Sequence, residues 1–283
     1  MRFSPGRNLA ARTSAILGLR RVFLLSLLCV VATAAPAVFG QEARIGNLEG
    51  SAKRGRALYR RYCIGCHGVY GNGKGENAQW IDPQPRNFTL GIFKCRSTPS
   101  GSIPLDSDLF DTVGRGIQTT NMPPWMPLTK QERVDLVAYV KTFSSRFKEE
   151  KPDPAIVIPA ETPATPESIA RGKELFQTIL KCAECHGTQG RGDGPSAATL
   201  HDVLGNPIRP YDFTTGIRFK CGTTDQDLYR IFITGLDGTP MPSYVDYLDS
   251  NQAWDLVHYL RALQVNFHGE KIRAKAQSDS KPQ

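Results

Sequence analysis

The chain has 283 residues, 40% hydrophobic and 22% charged, an ordinary balance for soluble globular protein with room for two small domains. Its formal charge of +8 overstates the basic character: Arg2, Arg7, Arg12, Arg20 and Arg21 all precede the first acid, Glu42. Without residues 1–40 there are 30 Lys+Arg against 27 Asp+Glu, a net +3, and so weak a charge does not point to nucleic acid.

Residues 1–40 read as a signal peptide. A basic stretch leads into the 14-residue apolar run 22–35, then Pro36 and small residues up to Gly40. The run is short of the roughly 20 apolar residues a membrane span needs, so a retained anchor is the minor alternative. Leu28 before Cys29 argues against a lipoprotein anchor, and Arg20-Arg21 resembles a twin-arginine signal only superficially. Export to the periplasm is the expectation.

The first helix is expected over residues 50–62 and runs straight into Cys63-Ile64-Gly65-Cys66-His67. C-x-x-C-H is the attachment signature of c-type haem: two thiols add to the porphyrin edge and the next residue presents its imidazole to the iron. A glycine ladder follows, at Gly68, Gly71, Gly73 and Gly75. A short helix is expected over Asp106–Arg115. Thr129 and Glu132 then form a capping box for a helix carrying Val134, Leu136, Val137 and Val140.

Residues 148–165 hold Pro152, Pro154, Pro159 and Pro163, and Pro166 follows them, which favours an extended spacer. Beyond it the pattern repeats. Thr165 and Pro166 open a helix expected over residues 166–180. Cys182-Ala183-Glu184-Cys185-His186 is followed by glycines 187, 190, 192 and 194, in the spacing of the first ladder. Phe88-Thr89 matches Phe213-Thr214, and Phe93-Lys94-Cys95 matches Phe219-Lys220-Cys221. Helices are expected over 224–234 and 250–263, the latter matching Asp135-Leu136-Val137 with Asp255-Leu256-Val257. The reading is therefore a domain over 41–147, a Pro-rich linker over 148–165, a second domain over 166–268 and a basic, solvated tail over 269–283.

This order of helix, haem motif, loops, methionine and helix resembles the class I cytochrome c domain, twice over. The resemblance covers residues 50–147 and 166–267. It implies an all-α fold of tandem domains and two covalently attached c-type haems, held by Cys63, Cys66 and His67 and by Cys182, Cys185 and His186. The second axial position decides whether a haem carries electrons or does chemistry. Methionine is commonly core filler. Here, however, Met122 and Met241 each lie 55 residues after the motif histidine and each precedes a proline, so both are assigned as axial ligands. Met126 is a competitor for the first iron. His201, His258 and His268 have no counterpart in the other copy, and His258 reads as a partly exposed helix residue.

Cys95 and Cys221 match each other and belong to neither motif. Three readings stay open: small buried hydrophobes, a disulfide joining the domains in an oxidising compartment, or thiolate ligands as in some dihaem sulfur-oxidising enzymes. Lys94, Lys220 and Arg86 read either as a rim around an exposed haem edge that steers an acidic partner, or as scattered solvated charge.

The function expected is a periplasmic dihaem cytochrome carrying single electrons in a respiratory chain. Its partners would be redox proteins: a dehydrogenase, a quinol-oxidising complex or a terminal oxidase. No nucleic acid is expected, and membrane association only through an uncleaved N-terminal segment or a membrane complex. The alternatives are a dihaem enzyme of peroxidase or thiosulfate dehydrogenase type, or a haem subunit fixed in a larger oxidoreductase.

Overall fold

The computed structural model describes residues 42–216 and 219–279, of residues 265–279 the backbone alone. The expected signal peptide, its retained-anchor alternative and Cys29 lie outside the described residues. Among those described, no helix is long and apolar enough to cross a membrane.

A minimal antiparallel hairpin, β1 (Arg44–Ile45) and β2 (Leu48–Glu49), opens the described chain and is its only strand pair among the described residues. Everything else is helix, short turn and loop. Helix α1 (Ala52–Tyr62) starts two residues later than expected, because Ser51 is extended and its hydroxyl accepts from the Arg54 N–H. The haem motif is the single turn α2 (Ile64–His67). Then come α3 (Asp106–Arg115), α4 (Lys130–Lys141) and the short α5 (Arg146–Glu149). The capping box at α4 forms as expected: Glu132 N donates to Thr129 Oγ1 at 3.2 Å and Thr129 N to Glu132 Oε2 at 2.8 Å.

The second half repeats this with α6 (Pro166–Glu174), α7 (Ala183–His186), α8 (Asp225–Thr234) and α9 (Ser250–Asp279). In each half two helices cross at a glycine, α1 with α4 and α6 with α9. A Cβ on Gly55 would stand 1.9 Å from the Asp135 carbonyl oxygen, and one on Gly172 would stand 2.0 Å from that of Asp255. A guanidinium clamps each crossing: Arg54 Nε to Asp135 Oδ2 and Arg171 Nε to Asp255 Oδ2, both 2.7 Å. Around the crossings sit two cores, one on Tyr59, Leu136 and Val137, the other on Phe176, Leu256 and Trp254. Each such large side chain contributes about 1.5–3 kcal/mol on full burial.

Three local features depart from the sequence reading. From the crossing glycine to the motif is eight residues in the first half (55 to 63) and ten in the second (172 to 182). The extra length is taken up by a π-helical turn, Leu175–Ile179, and by Lys181 at φ 53°. His258 is buried, 4% exposed, not half out in solvent. The capping residue of α6, Thr165, lies seven residues before Gly172, whereas Ser51 lies four before Gly55. The additional turn brings Ser168 Oγ to 2.9 Å from His258 Nδ1, and Glu161 of the linker lies at 3.7 Å from Nε2. Finally, α9 does not stop near 263: its backbone is helical through Asp279, so most of the expected tail is helix. The Ala, Lys, Arg and Gln of residues 271–277 are good helix formers, and no proline interrupts them before Pro282.

The halves are bonded to each other. Cys95 and Cys221 form a disulfide, with Cα atoms 5.1 Å apart. Beside it the Arg96 guanidinium, buried in the first half, donates to Thr234 O at 2.5 Å and Asp237 Oδ1 at 2.7 Å in the second. The extended segment between the halves is tied down too: Ile156 N donates to Ser97 O at 2.8 Å, and Ile156 and Ile158 pack on the second core.

Candidate functional site

Each half encloses one apolar cleft, of about 1190 Å³ in the first and 1240 Å³ in the second with their open mouths included. The two clefts are alike in extent. Cys63, Cys66, His67 and Met122 line the first cleft, and Cys182, Cys185, His186 and Met241 line the second. All eight residues assigned to haem attachment and axial ligation therefore line one of the two clefts, in two matching sets of four.

The motif turn is held from below by the glycine ladder. Gly73 N donates to His67 O at 2.9 Å and Gly75 N to Cys66 O at 3.1 Å; Gly192 and Gly194 repeat this at 2.8 and 3.1 Å. The return is so close that a Cβ on Gly75 would stand 2.3 Å from Gly65 O, and one on Gly194 would stand 2.4 Å from Glu184 O.

Both imidazoles are oriented alike. His67 Nδ1 lies 3.0 Å from the Arg86 carbonyl oxygen and His186 Nδ1 lies 3.0 Å from that of Tyr211. A carbonyl only accepts, so Nδ1 carries the proton and Nε2 keeps its lone pair for a metal. Burial lowers both histidine pKa values, which keeps the rings neutral. Phe88 stacks on His67 at 4.4 Å and Phe213 leans on His186 at 4.9 Å, restricting ring rotation.

The methionine loops are also built alike. Met122 N donates to Thr120 Oγ1 at 3.1 Å and Met241 N to Thr239 Oγ1 at 3.2 Å. Each threonine hydroxyl in turn donates to the carbonyl opening its loop, Ile117 O and Leu236 O, both at 2.7 Å. Met126 lies outside the cleft lining, 62% exposed, with its sulfur 3.7 Å from Arg133 Nη1, so it does not compete with Met122 for the first cleft. His201 is exposed and bonds locally to Thr199 O, His258 is committed to Ser168, and the side chain of His268 lies outside the described residues. The disulfide settles Cys95 and Cys221 as a joint between the halves and leaves neither as a free thiol or an iron ligand.

The basic residues are not where an outer rim would put them. Arg86 and Lys94 are half-buried and line the first cleft, and Lys220 of the second half lines it as well. The positioning groups missed in the sequence are the Arg86 and Tyr211 carbonyls and Thr120 with Thr239. The threonines left a trace: each stands two residues before its methionine in both copies.

The donor set fits a c-type haem in each cleft: two thiols and an oriented neutral imidazole on one wall, a thioether on a pinned loop on another, and apolar walls between. The site is thus suited to covalent attachment through Cys63 and Cys66, or Cys182 and Cys185, with axial ligation through the following histidine.

Comparisons with known proteins agree with this geometry. Residues 169–264 match the family model described as cytochrome c. Residues 50–140 match the one described as cytochrome c oxidase, cbb3-type, subunit III. Among solved structures, a chain of the Kuenenia stuttgartiensis reducing HAO-like protein complex is 43% identical, with a TM-score of 0.74 over 75% of this chain and 96% of that one. No curated protein matches.

Proposed function

The chain belongs to the c-type cytochromes, with two cytochrome c domains and two covalently bound c-type haems, and on that footing we propose that it passes single electrons between redox proteins in the periplasm. The observation that carries this reading is that both clefts offer a histidine and a methionine, so that both irons would have both axial positions filled. Bound haem supplies a one-electron iron couple, and thioether ligation raises its potential. The chain's own residues do the rest. The Arg86 and Tyr211 carbonyls fix the imidazoles, Thr120 and Thr239 hold the methionine loops, and the apolar cores exclude water. Such a site favours electron transfer over substrate binding, because a peroxidase must leave one iron position open.

The test is a potentiometric titration of the holoprotein followed by its absorption spectrum. A weak band near the red edge of the visible range in the oxidised state, lost in part in Met122→Ala and in part in Met241→Ala, supports the reading. High-spin features, or bleaching by peroxide, would overturn it in favour of a dihaem enzyme.

A second reading has its own support. The similar chain from the reducing HAO-like complex is spanned almost end to end, which favours a haem subunit held in a larger oxidoreductase rather than a free carrier of a respiratory chain. Co-purification of a stoichiometric redox partner from the native source distinguishes the two.

A further inference from the structure

We propose that Arg86, Lys94 and Lys220 form one anion seat, shared across the boundary between the halves, that takes the carboxylates of both haems. Lys94 and Lys220 each line both clefts, so each half lends a lysine to the other's cofactor site. Arg86 lines the first cleft, and its Nη1 reaches the second half, 3.0 Å from where a Cβ on Gly238 would stand. Among the described residues, none of the three cationic heads makes an ion pair or a side-chain hydrogen bond. The nearest acids act on them only at a distance: Asp202 partly offsets the charge of Arg86 and Lys94, and Asp82 that of Lys220, but neither forms an ion pair with them, and the Asp202 carboxylate is turned into its own loop, accepting from the backbone N–H groups of Leu204 and Asn206.

Three cations at a half-buried boundary destabilise one another. Burial and the charges of Arg86 and Lys220 bring Lys94 down to about 7. Buried charge of this kind is tolerated when an opposite charge reaches it. The occupant of each cleft carries carboxylates on its porphyrin edge, and these supply that charge. The repeated Phe-Lys-Cys segments then have a common purpose. The Cys95–Cys221 disulfide ties the residues next to both lysines and holds the pair at the boundary.

The inference rests on haems occupying both clefts, which the haem content of each variant checks separately from the result. Lys94→Gln and Lys220→Gln are each titrated potentiometrically as holoproteins. Removal of a nearby cation favours the more positive, oxidised iron, so either single variant lowers both midpoint potentials. A tenfold shift in the oxidised/reduced ratio reads as about 59 mV for a one-electron couple. Lys94→Arg and Lys220→Arg keep the charge and hold both potentials near the parent's, which separates loss of charge from damage to the fold. Lys173→Gln, an exposed lysine on α6, leaves both unchanged. Movement of one potential alone, of neither, or of both equally in Lys173→Gln overturns the shared seat.

Discussion

The two halves share the bonds that fix the motif, the methionine loop and the helix crossings, and differ in the residues around those bonds. The imidazole–carbonyl bond, the Thr-x-Met clamp, the crossing glycine and the Arg–Asp clamp recur with distances within 0.1 Å of each other. Even the tie between α3 and α4 recurs between α8 and α9: Lys141 to Asp106 in the first half and Arg261 to Asp225 in the second. Elsewhere the halves diverge. Tyr59 donates its hydroxyl to Gly68 O at 2.8 Å, whereas the second core has Phe176 in its place. Ala138 becomes His258, a straight helix exit becomes a π turn, and the carbonyl under the imidazole belongs to Arg86 in one half and Tyr211 in the other. The Arg86/Tyr211 exchange shows the rule at one residue. The backbone carbonyl facing the motif is kept, and the side chain, which lines the cleft in both halves, changes from a cation in the first to a phenol in the second.

The largest expected effect tests whether the halves hold their haems independently. Replacing Cys63 and Cys66 together by alanine should reduce covalent haem from two to one per chain, measured by pyridine haemochrome content against protein mass. The matching change at Cys182 and Cys185 should do the same. Loss of both haems from either variant would break the independence of the two sites. Next in size is the joint. Cys95→Ser with Cys221→Ser opens a long loop, and removal of a native disulfide costs about 2–5 kcal/mol, read as a lower denaturation midpoint. The parent should show no thiol titrating at these two positions when unfolded without reductant; two titrating thiols would remove the joint.

The helix crossings come third. Gly55→Ala and Gly172→Ala each push a methyl group against a backbone carbonyl that cannot retreat, and overpacking of this kind costs about 1–3 kcal/mol. The alanine's better helix propensity, about 0.5–1 kcal/mol, offsets only part of that. Equal losses in the two variants would support equivalent crossings; a loss confined to one would show that the helices of the other half can move apart.

What could be read in advance follows the same division. The eight motif and methionine residues were legible because haem attachment fixes spacing in sequence as well as in space, and the repeat doubled the signal. Helix α3 and the capping box at Thr129 were legible because local side-chain bonds create them. The π turn was not, since two surplus residues in a helix leave no compositional mark. Nor was the burial of His258, which depends on a serine 90 residues away and on the linker's Glu161. The boundary cluster of Arg86, Lys94 and Lys220 was misread as a surface feature for the same reason: only packing of one half on the other buries it.

The smallest effect separates two clamps that look identical. Burial by itself would raise the pKa of Asp135, but the Arg54 side chain, the Ser51 N–H and Gln131 together outweigh it and hold the value below the usual carboxylate range. A depressed folded pKa gives stability that is present above the unfolded value of about 4 and lost as pH falls through the folded one. Arg54→Ala should therefore lower the Tm at pH 7, and the gap to the parent should narrow at pH 3. The exposed guanidinium is screened by solvent, so a loss of roughly 2–4 °C is the scale. Arg171→Ala should cost more at pH 7, because Asp135 keeps its bonds from Ser51 N at 2.8 Å and Gln131 Nε2 at 3.0 Å, whereas Asp255 among the described residues accepts side-chain bonds from Arg171 alone. Thermal melts of both variants at the two pH values decide it. Equal losses at pH 7 would mean that the extra acceptor bonds in the first half add nothing to its clamp.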